Sequence, residues 1–296
     1  MIICPITSKT GKVYITFGGG LLVADSRKTP MQIVGEYDNQ VINGAGCGGG
    51  QVRHKMWLNA GGSASPAGAT QSVFTIYTLN DRAIRSGALP NTPPIVFKDA
   101  SNTNTGGNSA GTTNMHGTKQ KTGVTTRRDA HGMARTLSGM YIHTVDRLRN
   151  NIEVFNTITL VRSTYDLTSA DGQGKGKGAC AAAPVLDDAQ LFGNDPAPDL
   201  IEPTPDGKYL VIALRGPVPV SVNHSAQGSC PGVGIVELTQ VGALGKLVGV
   251  LRSTNIVDTA TGKAPGGVAY KGAERSDIHG AAVRRKQSSC RRKVDR

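Results

Sequence analysis

Five residues able to bind a metal or carry out acid–base chemistry recur at one register of a repeated pattern: Cys4, Cys47, His131, Asp199 and His279. Each stands before Pro5, Gly48, Gly132, Leu200 or Gly280, and a turn follows. In the first four copies an aromatic residue stands ten positions on, as Tyr14, Trp57, Tyr141 and Tyr209, where it is expected to open an apolar strand. Thiolate, imidazole and carboxylate are donors that suit Zn²⁺, Cu or Fe. If the repeat brings these positions together, the five form a candidate centre for one divalent or transition metal ion. Asp129 and Asp277 precede His131 and His279 by two residues and would orient the imidazoles. Two plainer outcomes stay open. Small or polar residues at such starts can serve only to satisfy backbone groups. A Cys4–Cys47 disulfide would remove both thiols from metal chemistry.

Other residues carry weaker signals. Glu202 follows Asp199 and satisfies a turn or faces the same site. Arg147 and Arg215 each follow a strand and are expected as solvated charges or as anion contacts. His116 mimics the marker without a strand after it and reads as loop. His143 falls inside a strand, and Trp57 with the strand tyrosines reads as core. No phosphate-binding loop or Cys-x-x-Cys pair is present, and no catalytic residue is assigned.

The elements that would position these residues are strands. Pro205-Asp206-Gly207-Lys208 is a hairpin signal, because Pro presets φ and Gly accepts a positive one. β-Branched and aromatic runs follow the turns, as in Val13–Phe17, Tyr141–Val145 and Tyr209–Leu214. A third strand follows in each repeat, as in Leu21–Asp25 and Ile152–Asn156, and a fourth after it, as in Gln32–Glu36 and Lys246–Leu251. Four antiparallel strands per repeat make the blade of a β-propeller. The markers are 43, 84, 68 and 80 residues apart, whereas a bare blade needs about 40 to 45. The longer intervals therefore carry surface loops, expected at about 82–128 and 169–198. The chain reads as an all-β protein over residues 1–283, with four blades and the start of a fifth, followed by a basic tail over 284–296.

The phrase Pro205-Asp206-Gly207-Lys208-Tyr209-Leu210-Val211 resembles the strand-turn signature of YVTN-type, lactonase-like seven-bladed β-propellers. So does His131-Gly132-Met133-Ala134 with Tyr141-Ile142 and Ile152–Asn156. The resemblance covers residues 4–283 as a repeat pattern. It implies an exported, periplasmic or secreted protein that binds a small molecule, a metal or another macromolecule. It also implies, for some relatives, hydrolase or oxidoreductase activity. A ring of seven would need more chain, so the sequence looks like a truncated reading of a longer protein. Incomplete rings leave blade edges open to edge-to-edge association.

Composition bounds these readings. With 39 glycines and 15 prolines the chain is turn-rich. It holds no apolar run long enough to span a membrane and no signal peptide at Met1. The net charge is +12, and residues 284–296 hold seven Lys or Arg against one Asp. Such a tail attracts polyanions without specificity, and no motif for specific nucleic-acid recognition accompanies it. Of five cysteines, Cys180 and Cys230 lie in Gly-rich stretches and form a disulfide or remain two free thiols. The leading expectation is a ligand-binding or interaction module. The alternative is a metal-dependent lactonase-like hydrolase or oxidoreductase.

Overall fold

The computed structural model describes residues 2–18, 20–42, 46–61, 74–85, 92–99, 128–147, 151–167, 178–180, 196–216, 230–253 and 276–284. His116, Cys290, most of both expected surface loops and the basic tail beyond Arg284 lie outside them. The described residues form four sheets of four strands each. The first holds β1 (Ile2–Thr7), β2 (Lys12–Phe17), β3 (Gly20–Asp25) and β4 (Gln32–Asp38). The second holds β5 (Gly49–Val52), β6 (Lys55–Ala60), β7 (Thr75–Asn80) and β8 (Ile95–Lys98). The third holds β9 (Ala130–Arg135), β10 (Tyr141–Asp146), β11 (Asn151–Asn156) and β12 (Arg162–Asp166). The fourth holds β13 (Pro198–Pro203), β14 (Tyr209–Leu214), β15 (Gly232–Thr239) and β16 (Leu244–Arg252).

Within each sheet every strand pairs antiparallel with its sequence neighbour, so each sheet is a meander, the blade of a β-propeller. A sheet of this kind is apolar on both faces only if something covers both. Each gap between successive blades is accordingly filled by one apolar layer. Tyr14, Leu21 and Val23 of the first blade meet Met56, Leu58 and Tyr77 of the second. Trp57, Phe74 and Ile76 meet Met133, Ile142 and Phe155. Val145, Ile152 and Val154 meet Ile201, Leu210 and Ile212. Burying each of the larger side chains is worth roughly 2–3 kcal/mol. The first strands lie side by side, β9 against both β5 and β13, while the outer strands β12 and β16 touch farther out. The blades therefore fan from an axis lined by β5, β9 and β13.

Three sequence expectations change in detail. The aromatic ten residues after each marker opens the strand in the third and fourth blades, at Tyr141 and Tyr209. In the first two blades Tyr14 and Trp57 stand third, because two fewer residues separate marker from strand there. Within the stretch expected as loop over 82–128, Ile95–Lys98 is the fourth strand of its blade. Four residues behind two prolines are too few to stand out by pattern. Residues 276–284 form no strand, yet they lie against the fourth blade: Ser276 Oγ is 3.1 Å from Ser253 Oγ.

Several polar groups inside the blades are matched. Arg128 pairs with Asp146 and Glu153 while its guanidinium lies 4.2 Å from the Phe74 ring centroid, so one side chain bridges two blades. Cys180 and Cys230 form a disulfide that ties a short 3₁₀ turn, Gly178–Cys180, to the lead-in of β15. His143 is fully buried between Gly242 O at 2.9 Å and Tyr165 Oη at 3.1 Å. A carbonyl only accepts, so Nε2 carries the proton and Nδ1 accepts from the tyrosine hydroxyl.

Burial pushes the His143 pKa down from 6.5 to about 4. The unfolded chain therefore binds a proton, between these two values, that the folded chain refuses. The stability tied to this site is full above 6.5 and is lost as pH falls toward about 4, at about 1.4 kcal/mol per pH unit. Urea unfolding from pH 7 to pH 4 is expected to show that slope in the native chain. In His143→Gln it is expected to be shallower by one proton, and an unchanged slope would refute the assignment.

Candidate functional site

The marker residues sit where the innermost strands bulge. Ala130 of β9 pairs with Asp146 and Met133 with Thr144, so β9 carries one extra residue across His131-Gly132. Pro198 pairs with Leu214 and Ile201 with Ile212, which places the same bulge at Asp199-Leu200 of β13. A bulge re-aims side chains out of the regular alternation, and here it turns the marker residues toward the next blade. The glycine after the marker has a separate cause. A Cβ on Gly132 would stand 2.3 Å from Asp199 O, and one on Gly48 2.2 Å from His131 O. Adjacent first strands are too close there for any side chain. Asn59 completes the seam, accepting from Gly48 N–H at 3.0 Å and donating to His131 O at 2.5 Å and Thr144 Oγ1 at 2.9 Å.

Three of the five sequence candidates converge. His131 Nε2 lies 2.9 Å from Asp199 Oδ1, and His279 Nδ1 lies 3.0 Å from Asp199 Oδ2. One donor atom from each of the three falls within 4.8 Å of the others. The imidazole rings are 5.8 Å apart at 64°. Cys4 and Cys47 do not join them. They form a disulfide with Cα atoms 5.1 Å apart, so in this state neither thiol is available as a ligand. The bridge staples the first strand of one blade to the lead-in of the next.

Two arginines that the sequence left as solvated charges or anion contacts complete the centre. Arg215 is fully buried. Its Nη1 lies 3.0 Å from Asp199 Oδ2 and 2.7 Å from His279 Nδ1. Its Nε and Nη2 each lie 2.9 Å from an Asp277 oxygen. Arg147 pairs with Asp129 and stands 3.7 Å from Asp199 Oδ1. Asp129 and Asp277 therefore hold guanidinium groups, where the sequence suggested imidazoles. Arg147 and Arg215 occupy equivalent places, sixteen residues after His131 and Asp199. Their backbone N–H groups make the same bond, to Asp129 O at 3.0 Å and Ala197 O at 2.8 Å. Arg147 finds its acid in its own blade. Ala197 stands at that position in the fourth blade, and Arg215 turns to Asp277 of the following segment instead. Glu202 lies exposed and takes no part.

Burial works to raise the Asp199 carboxyl, but His131, His279 and Arg147 outweigh it and hold it well below the ordinary carboxylate range. Burial, aided by Arg147, pushes the His131 imidazole down. Three carboxylates facing two guanidinium groups leave one negative charge, which both imidazoles face. A metal ion at this point would meet Arg215 within about 3 Å of two of its three donors, and like charges at such range repel strongly in a low dielectric.

No family model and no curated protein matches the chain. Among solved structures it is similar to a luciferin-regenerating enzyme, with a TM-score of 0.44 and 10% identity over 86% of this chain and 62% of that one. The calcium-binding protein regucalcin from Agrobacterium tumefaciens gives a TM-score of 0.44 and 10% identity over 84% and 60%. A chain of a nidogen–laminin complex gives 0.41 and 11% over 78% and 57%. The chain thus spans about three fifths of the length of each. The blade assignment rests on the strand pairings described above, and likenesses this distant add nothing about activity.

Removing the shared carboxylate charge should leave two buried guanidinium groups short of a partner. Asp199→Asn is expected to lower stability by about 3 kcal/mol or more in urea unfolding. His279→Gln, whose side chain is 53% exposed, is expected to cost under about 1 kcal/mol. Equal losses would contradict Asp199 as the hub.

Proposed function

We propose that the chain is a β-propeller interaction module of the YVTN-like kind, acting in an oxidising compartment, periplasmic or secreted. In this reading the His131–Asp199–His279 cluster locks the inner strands together and does not turn over a substrate. The observation that carries the reading is Arg215, which lies within 3.0 Å of both Asp199 and His279. Two cysteine pairs at bonding geometry support the oxidising compartment. Ligand recognition then belongs to the loops at the blade ends, as is usual for residues carried on a rigid scaffold.

One feature favours the alternative of a metal-dependent hydrolase or oxidoreductase. Three donor types suited to a transition metal lie together, and Nδ1 of buried His131 has no hydrogen-bond partner among the described residues. Nδ1 could instead hold a bound water. For a metal to bind, Arg215 would have to withdraw from between Asp199 and His279, and the metal would then supply Lewis-acid or redox chemistry beside those residues.

Metal analysis and thiol titration of the purified chain separate the two readings. The module reading expects metal far below one ion per chain after loading and desalting. It also expects one free thiol, since four of the five cysteines are paired. Stoichiometric metal that disappears in His131→Ala and His279→Ala would establish the enzyme reading instead. Five free thiols would remove the argument for an oxidising compartment.

A further inference from the structure

In a four-stranded meander the loops joining first to second and third to fourth strands lie at one end, and the other connections lie at the opposite end. The His–Asp–Arg cluster occupies the end where first strands begin. The eight loops at the other end form a different kind of surface. Contacts between blades show that they lie side by side. Lys9 N–H donates to Gln51 Oε1 at 2.6 Å, linking the first two blades. A Cβ on Gly139 would sit 3.5 Å from Val52, and one on Gly207 2.8 Å from Leu137, linking second to third and third to fourth.

This end is strongly basic. The first blade exposes Lys9, Arg27 and Lys28 there, and the second Arg53, Lys55, Arg82 and Arg85. Arg162 and Lys208 add one each from the third and fourth; of these side chains, Arg27 is paired with Asp25 at 2.8 Å and Arg162 with Glu153 at 3.4 Å. Among the described residues of these loops, and the first residue beyond each, the one exposed acid is Asp206. The same loops carry exposed aliphatic tips. Ile158 is 62% exposed, Val161 67% and Val241 84%, and Met31, Leu137 and Leu160 are also exposed. Leu160 and Val241 hold φ of 61° and 58°, a left-handed conformation that bulky and β-branched residues rarely adopt. Strain of that kind persists where the surroundings impose it, and it occurs often at functional loops.

We propose that this loop face docks onto an anionic lipid surface. Clustered basic side chains supply attraction to anionic headgroups, and scattered aliphatic tips enter the boundary between headgroups and acyl chains. Single-stranded nucleic acid fits less well, because its binding sites stack bases on aromatic side chains and the exposed large apolar residues here include none. The proposal rests on the blade topology and not on the reading of the cluster at the opposite end.

The test is co-sedimentation of the whole chain with vesicles of phosphatidylcholine alone, or with about 30% phosphatidylserine, at about 0.1 M and 0.5 M NaCl. Binding is expected only with phosphatidylserine and is expected to weaken roughly tenfold or more at the higher salt. Combined Arg53→Glu, Lys55→Glu and Lys208→Glu is expected to reduce it about tenfold. Combined Ile158→Ser and Val161→Ser is expected to reduce it several-fold, with unfolding transitions unchanged in both variants. Neutralising the tail by Arg284→Gln, Arg285→Gln, Lys286→Gln, Arg291→Gln, Arg292→Gln and Lys293→Gln, which leaves Arg296 against Asp295, is expected to leave most of the binding. Three outcomes overturn the proposal: no phosphatidylserine-dependent binding, binding lost with the tail but not with the face variants, or binding to an oligonucleotide or an acidic protein in place of vesicles.

Discussion

A buried carboxylate is costly unless its charge is met, and Asp199 is wholly buried. Everything at the inner end of this propeller is arranged to meet it. His131 comes from the third blade, Arg215 from the end of the fourth blade's second strand, and His279 from the segment after that blade. One charge therefore joins three successive repeats at the inner end, where no strand of one sheet pairs with a strand of the next among the described residues. The apolar layers between blades hold the sheets face to face, but such layers permit sliding. The ion-paired hub fixes where along the axis each first strand begins, in the way buried polar groups can specify one arrangement among several apolar ones.

Much of this was legible in the residues. The marker register grouped His131, Asp199 and His279, which the structure brings within reach of one another; matching bulges in β9 and β13 aim the first two. The four-strand meander followed from turn chemistry and β-branched runs. What stayed hidden has physical reasons. Gly48 and Gly132 read as turn residues, yet their role is close approach to the next blade's backbone, a fact of tertiary packing. Arg147 and Arg215 look like ordinary charges after strands until a second strand's end is seen beside the next first strand. Two short features escaped the pattern as well, the four-residue β8 and the bridging Asn59, which has no periodic signature.

The two ends of the blades are chemically opposite. At one, charges are buried, paired and held at short range, and the glycines leave no slack between strands. At the other, exposed lysines, arginines and aliphatic tips stand on hairpins held by backbone turns. A fold that concentrates its polar matching at one end leaves the other end's loops to vary in composition without loss of the scaffold.

The central claim is that Asp199 and Arg215, both of the fourth blade, are energetically coupled at the hub that the neighbouring repeats share. A double-mutant cycle of Asp199→Asn and Arg215→Met, read by urea unfolding, measures that coupling directly. The account predicts an interaction energy of about 2 kcal/mol or more, with the double variant much less destabilised than the two single losses combined. Additive losses, within about 0.5 kcal/mol, would mean that the hub does not hold the inner strands.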